Sequence, residues 1–143
     1  MATERTADVT WSGSLLEGAG TIERVGSGAF GPLDVTWASR AEEPAGRTSP
    51  EELIAAAHAA CFSMALSHGL AQAGTPAERL ETSATVTFVP GTGITKVALR
   101  VRGSVPGIDE AAFLEQANAA KEGCPVSKAL AGGPEITLDA ALA

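Results

Sequence analysis

Residues 49–66 read Ser49-Pro50-Glu51-Glu52-Leu53-Ile54-Ala55-Ala56-Ala57-His58-Ala59-Ala60-Cys61-Phe62-Ser63-Met64-Ala65-Leu66. The stretch opens with helix-start signals. Ser49 suits the cap, Pro50 the first turn, and Glu52 completes a Ser-x-x-Glu box. Glu51 and Glu52 stand where the helix dipole favours negative charge. The pattern predicts a helix over 50–73, ended by Gly74, with Pro76 preventing continuation. From Leu53 to Leu66 it is apolar almost all round, and a helix without a polar face is buried on all sides. One small domain offers a single sheet to cover one face. The other face is therefore expected to meet a second copy of the chain, its alanines allowing a close crossing.

Strand patterns flank this helix. Residues 82–89 and 94–105 read as a hairpin joined at Pro90-Gly91-Thr92-Gly93. Val97, Leu99 and Val101 face one way, and Lys96, Ala98, Arg100 and Arg102 the other. Asp109 caps a helix over 110–121, stopped by Gly123. Cys124-Pro125 opens a short helix over 125–130, with Cys124 at the cap. A last strand is predicted over 135–138. On the N-terminal side, 9–11, 21–25 and 33–38 form a three-stranded meander, with Arg40 at the end of the third strand and a polar loop over 41–47. Gly18-Ala19-Gly20 is a weak phosphate-loop candidate, because no helix follows it. The order βββ-α-ββ-αα-β defines an α+β fold.

The 143 residues fit one domain, 1–143, and 45% hydrophobic against 19% charged residues describes a folded chain. The net charge of −7 argues against nucleic acid, which needs a basic face, and against anionic membranes. No unbroken apolar run approaches the ~20 residues of a membrane span. Residues 1–8 carry no cationic stretch followed by an apolar one, so the expected location is cytoplasmic. There the two cysteines, Cys61 and Cys124, are not expected to form a structural disulfide.

Cys61 lies eleven residues after Pro50, about 16 Å along the axis. The helix dipole acts only over the first turn, so an acidic Cys61 needs a cation. His58, three residues back, offers a Cys-His pair of the hydrolase kind. A packed histidine is the plainer reading of His58. A metal site with Cys124 and His68 lacks paired ligand spacing. Cys124, at a helix cap with Lys121 and Lys128 nearby, has the setting of an acidic thiol and on local physics is the better nucleophile. The sequence separation does not show whether the two sulfurs meet.

Ser49 to Ile54, the run His58-Ala59-Ala60-Cys61-Phe62-Ser63-Met64-Ala65-Leu66, and Gly123-Cys124-Pro125-Val126-Ser127 together resemble the OsmC branch of the OsmC/Ohr peroxide reductases. Trp11-x-Gly13, Gly18-x-Gly20 and Glu135 to Asp139 extend the resemblance over nearly the whole chain. The resemblance implies an intertwined homodimer with antiparallel sheets wrapped around two long central helices. It implies a thiol-dependent reductase of organic hydroperoxides and hydrogen peroxide, with no cofactor and no metal. By it, Cys61 is the peroxidatic thiol, Cys124 the resolving thiol, and Arg40 and Glu51 the active-site arginine and glutamate, which overrides the local preference for Cys124. An external dithiol, of lipoyl type in the family, serves as reductant. Glu51 stands ten residues before Cys61, so Arg40 and Glu51 of one chain are expected to serve the partner's Cys61. Leu53, Ile54, Phe62 and Met64 are expected to make the pocket apolar. An apolar-ligand binding module and a Cys61–His58 hydrolase are the alternatives.

Overall fold

A computed structural model describes residues 1–143 and contains two compact units, Met1–Pro50 and Glu51–Ala143. The first is an antiparallel meander of β1 (Ala7–Ser12), β2 (Ala19–Val25) and β3 (Leu33–Val35). Gly20 pairs with Trp11 on one side and Val35 on the other. A Cβ on Gly20 would stand 2.6 Å from the Trp11 ring and 2.9 Å from Val35 Cγ2. The Gly18-Ala19-Gly20 run is thus explained by close packing across a strand, without any phosphate.

The third strand is shorter than predicted. Thr36 and Ser39 form a reciprocal cap, with Ser39 N donating to Thr36 Oγ1 at 3.0 Å and Thr36 N to Ser39 Oγ at 2.9 Å. This box starts a helix, α1 (Trp37–Ala41), and ends the strand at Val35. Arg40 therefore lies in the last turn of a helix and not at a strand end.

The long helix, α2 (Pro50–Gln72), follows and leads into β4 (Arg79–Val89), β5 (Gly93–Ser104), α3 (Glu110–Gly123), α4 (Pro125–Leu130) and β6 (Glu135–Leu142). The β4–β5 pair is the expected antiparallel hairpin. β6 runs parallel to β5, from Lys96 opposite Glu135 to Gly103 opposite Leu142. A parallel pair needs a long crossover, and α3 and α4 provide it. Asp109 Oδ1 accepts from Ala112 N at 2.8 Å, as the cap pattern requires.

The core of this unit joins Phe62, Leu66 and Leu70 of α2, Leu99 and Val101 of β5, and Phe113, Ala117 and Ala120 of α3. Each large side chain contributes about 1.5–3 kcal/mol by leaving water. Gly103 admits the Phe113 ring, whose carbons lie 2.8 Å from where a Cβ would stand. Ala56, Ala57, Ala60 and Met64 lie on the opposite side of α2 and are exposed in the single chain. Helix α2 is long and apolar enough, at a mean hydropathy of 1.4, to cross a membrane by length and composition alone. Counting unbroken apolar runs misses this, because mean hydropathy tolerates the scattered serines and histidines.

Candidate active site

Helix α2 carries Cys61, half-buried, in its middle, and His58 one turn earlier, fully buried. Cys124 is fully buried between α3 and α4. It closes α3, its N–H donating to Ala120 O at 2.9 Å, and opens α4 as the N-cap. Its backbone is extended there (φ −60°, ψ 126°), and Pro125 supplies the first helical residue.

The structure places the two thiols of one chain near enough to influence each other's ionisation. Burial pushes the Cys61 thiol up, and its interaction with Cys124 pushes it further. Burial also acts against a thiolate at Cys124. It is outweighed by hydrogen bonding from Cys61, from the backbone amides of Ser127 and Val126, and from the Ser127 hydroxyl, so the Cys124 thiol falls below its ordinary value. Those amides face the sulfur without closing a full side-chain cap.

His58 Nε2 lies 2.7 Å from Ser127 Oγ, in a buried contact between α2 and α4. Nδ1 is buried without a hydrogen-bond partner. Burial lowers the imidazole pKa, which keeps the ring neutral. The ring engages Ser127 and makes no bond to Cys61, which disfavours the Cys-His hydrolase reading. Ser127 enters the sequence reading only within the second-cysteine motif, which gives no sign of its buried contact with His58. The signal that points to it is the Cys124-x-x-Ser127 spacing, which sets a hydroxyl one turn from a cap.

Glu51 is buried in the first turn of α2. Because α2 is continuous from Pro50 to Gln72, Glu51 and Cys61 stand about 15 Å apart along the axis. In the first unit, Arg40 lines an apolar pocket of about 160 Å³ with Trp11, Leu15, Val35, Trp37 and Pro50. The expected pocket residues differ. Phe62 is fully buried in the core, and Met64 lines a separate groove with Ser67 and His68.

The sequence pattern of the family described as OsmC-like protein matches residues 43–139. Peroxiredoxin OsmC of Escherichia coli (strain K12) is 42% identical over 142 residues, which cover 97% of this chain and 96% of that protein. The chain belongs to the OsmC family. An organic hydroperoxide resistance protein of Xanthomonas axonopodis pv. citri (strain 306) is 36% identical over 94 residues, covering 64% of this chain and 65% of that one. Among OsmC-like folds of known structure, the organic hydroperoxide resistance protein OhrB of Bacillus subtilis superposes with a TM-score of 0.68 at 29% identity, over 94% of this chain and 97% of OhrB.

Proposed function

We propose that this OsmC-family chain is a thiol-dependent peroxidase for organic hydroperoxides and, less efficiently, hydrogen peroxide. The observation that carries the reading is the interacting pair of free thiols, Cys61 and Cys124, in one chain. The names of the relatives, a peroxiredoxin and organic hydroperoxide resistance proteins, support the same reaction class.

Cys61 is the peroxidatic thiol. Its thiolate attacks one peroxide oxygen, the O–O bond breaks, and the other oxygen leaves as alkoxide or hydroxide. Cys61 becomes a sulfenic acid, which Cys124 condenses to a disulfide with loss of water. An external dithiol, of lipoyl type by the resemblance, reopens it in the cytoplasm.

A thiol held up by burial needs a positive charge before it attacks, and no cation within Glu51–Ala143 contributes to lowering Cys61. Arg40 supplies that charge and stabilises the leaving oxygen. Glu51 fixes the guanidinium through a bidentate pair. The chain works as a homodimer in which Arg40 and Glu51 of one protomer serve the partner's Cys61, and the exposed apolar stripe of α2 supports that pairing. The apolar walls around Arg40 favour alkyl and aryl peroxides.

The test is stopped-flow reaction of the reduced protein with an alkyl hydroperoxide, followed by mass spectrometry of the cysteines. Cys61→Ser is expected to abolish consumption, and Cys124→Ser to trap sulfenic acid on Cys61. If Cys124→Ser were the unreactive variant instead, the two roles would be reversed.

A further inference from the structure

Three side chains from two helices run in one line behind the thiol pair. His58 Nε2 of α2 meets Ser127 Oγ of α4 at 2.7 Å, and the Ser127 hydroxyl reaches the Cys124 sulfur. His58 is fully buried and Ser127 is 6% exposed, so water does not readily replace either partner. A buried polar pair of this kind is retained only if it is satisfied.

The direction of the chain follows from the tautomer. A neutral imidazole carries one N–H and one lone pair. With Nδ1 buried and unpartnered, a proton there would be an orphan donor, which is rarer and worse tolerated than an orphan acceptor. The proton therefore sits on Nε2 and is donated to Ser127 Oγ. That oxygen accepts from the ring, and its own O–H is left to point at Cys124. The line then reads Nε2–H to Oγ, and O–H to Sγ.

We propose that Ser127 is a catalytic residue of the disulfide-forming step, donating a hydrogen bond to the Cys124 thiolate, and that His58 is the positioning residue that aims its hydroxyl. The role rests on the peroxidase reading, and the hydrogen-bond chain does not. In that step the Cys124 sulfur attacks the Cys61 sulfenic sulfur. Cys124 ionises first and gives up its proton; as the S–S bond then forms, the Cys61 S–O bond breaks and the departing hydroxide takes up a proton to leave as water. No outside oxidant enters. The hydroxyl acts before attack, by holding the nucleophile as thiolate. Ser127 also lines a cavity of about 170 Å³ with Lys121, Glu122, Lys128, Ala131 and Ile136.

The test uses two readouts on the full-length protein. The first is the thiolate absorbance of Cys124 against pH in a Cys61→Ser background, without peroxide. The second is the rate of disulfide formation after one equivalent of alkyl hydroperoxide. Ser127→Ala is expected to raise the Cys124 midpoint by about one pH unit and slow disulfide formation about tenfold at pH 7. His58→Leu shifts both readouts in the same direction by less, and His58→Gln, which retains an N–H donor, restores them. Ser127→Ala with an unchanged midpoint overturns the chain. So does a His58→Leu protein whose melting temperature falls while both readouts stay put. A parent chain that leaves the hydroperoxide intact overturns the peroxidase reading and with it the catalytic role, while the titration separately decides the Ser127–Cys124 bond.

Discussion

Two inactive variants of this chain are expected to restore each other. Under the proposed mechanism, Cys61→Ser removes the peroxidatic sulfur and Arg40→Ala the charge that activates it. The reasoning starts from α2, in which Glu51 and Cys61 are separated by about 15 Å along one continuous helix. Ten steps of about 100° also turn them about 80° apart around the axis. A glutamate paired with a guanidinium, as proposed for Glu51 and Arg40, would span roughly half that axial distance, which is too short to act on the cysteine of the same helix. Two antiparallel copies crossing at their middles bring the start of one α2 beside the middle of the other. Free exchange of equal amounts then makes half the dimers mixed, each with one intact site of two, or about a quarter of parental activity. The Arg40→Ala parent is expected to lose about 10²–10³-fold, the scale of removing a donor to a developing oxyanion. The assay is peroxide consumption after the chains have exchanged, with exchange followed by mass-tagged protomers. Inactive mixtures with confirmed exchange would refute shared sites.

Gly103→Ala places a methyl 2.8 Å from the fully buried Phe113 ring, so overpacking of about 1–3 kcal/mol is expected in chemical denaturation. His58 gives a pH signature. Its folded pKa lies below the unfolded value of 6.5, so between those two values the unfolded chain binds a proton that the native chain refuses. Stability is therefore full above about 6.5 and falls as the pH drops through that window, by at most about 1.4 kcal/mol per unit. His58→Gln is expected to flatten that slope in urea melts taken from pH 7 downward. Alkyl hydroperoxides are expected to outpace hydrogen peroxide by up to about fourfold per buried CH₂, and Trp37→Ala to narrow the margin; a variant with unchanged selectivity would exclude the Arg40 pocket as the alkyl site.

The sequence made the regular elements plain where a single period held without interruption. Val97, Leu99 and Val101 alternate with charged or small neighbours and lie buried as the alternation requires. Ser49-Pro50 and Cys124-Pro125 mark helix starts that the structure places at those residues. Helix α1 was obscured because Leu33, Val35 and Trp37 keep a two-residue period straight through the Thr36–Ser39 box. The end of β6 was obscured too. Ala140 and Ala141 have weak strand preference, and their pairing with β5 is settled by a register 39 residues away in sequence. At the site, helix geometry alone separated Glu51 from its own Cys61. The meeting of Cys61 and Cys124 was not readable, because it depends on how α3 returns across the sheet. Nor was the burial of Phe62, since an almost uniformly apolar helix gives no sign of which side faces the core.

If the two thiols join as proposed, the bond between them would bear on the whole chain. Joining Cys61 to Cys124 closes a loop of about 60 residues, and in the chain-entropy picture such a crosslink restricts the unfolded ensemble by about 4 kcal/mol. A thermodynamic cycle makes that figure work both ways. Whatever the bond adds to folding, folding adds to the bond, so the native chain favours the oxidised form over separate thiols by about a thousandfold. Under the proposed mechanism the fold would act as a redox spring: each turnover would be stored as extra resistance to unfolding, and the reductant would have to supply the driving force to release it.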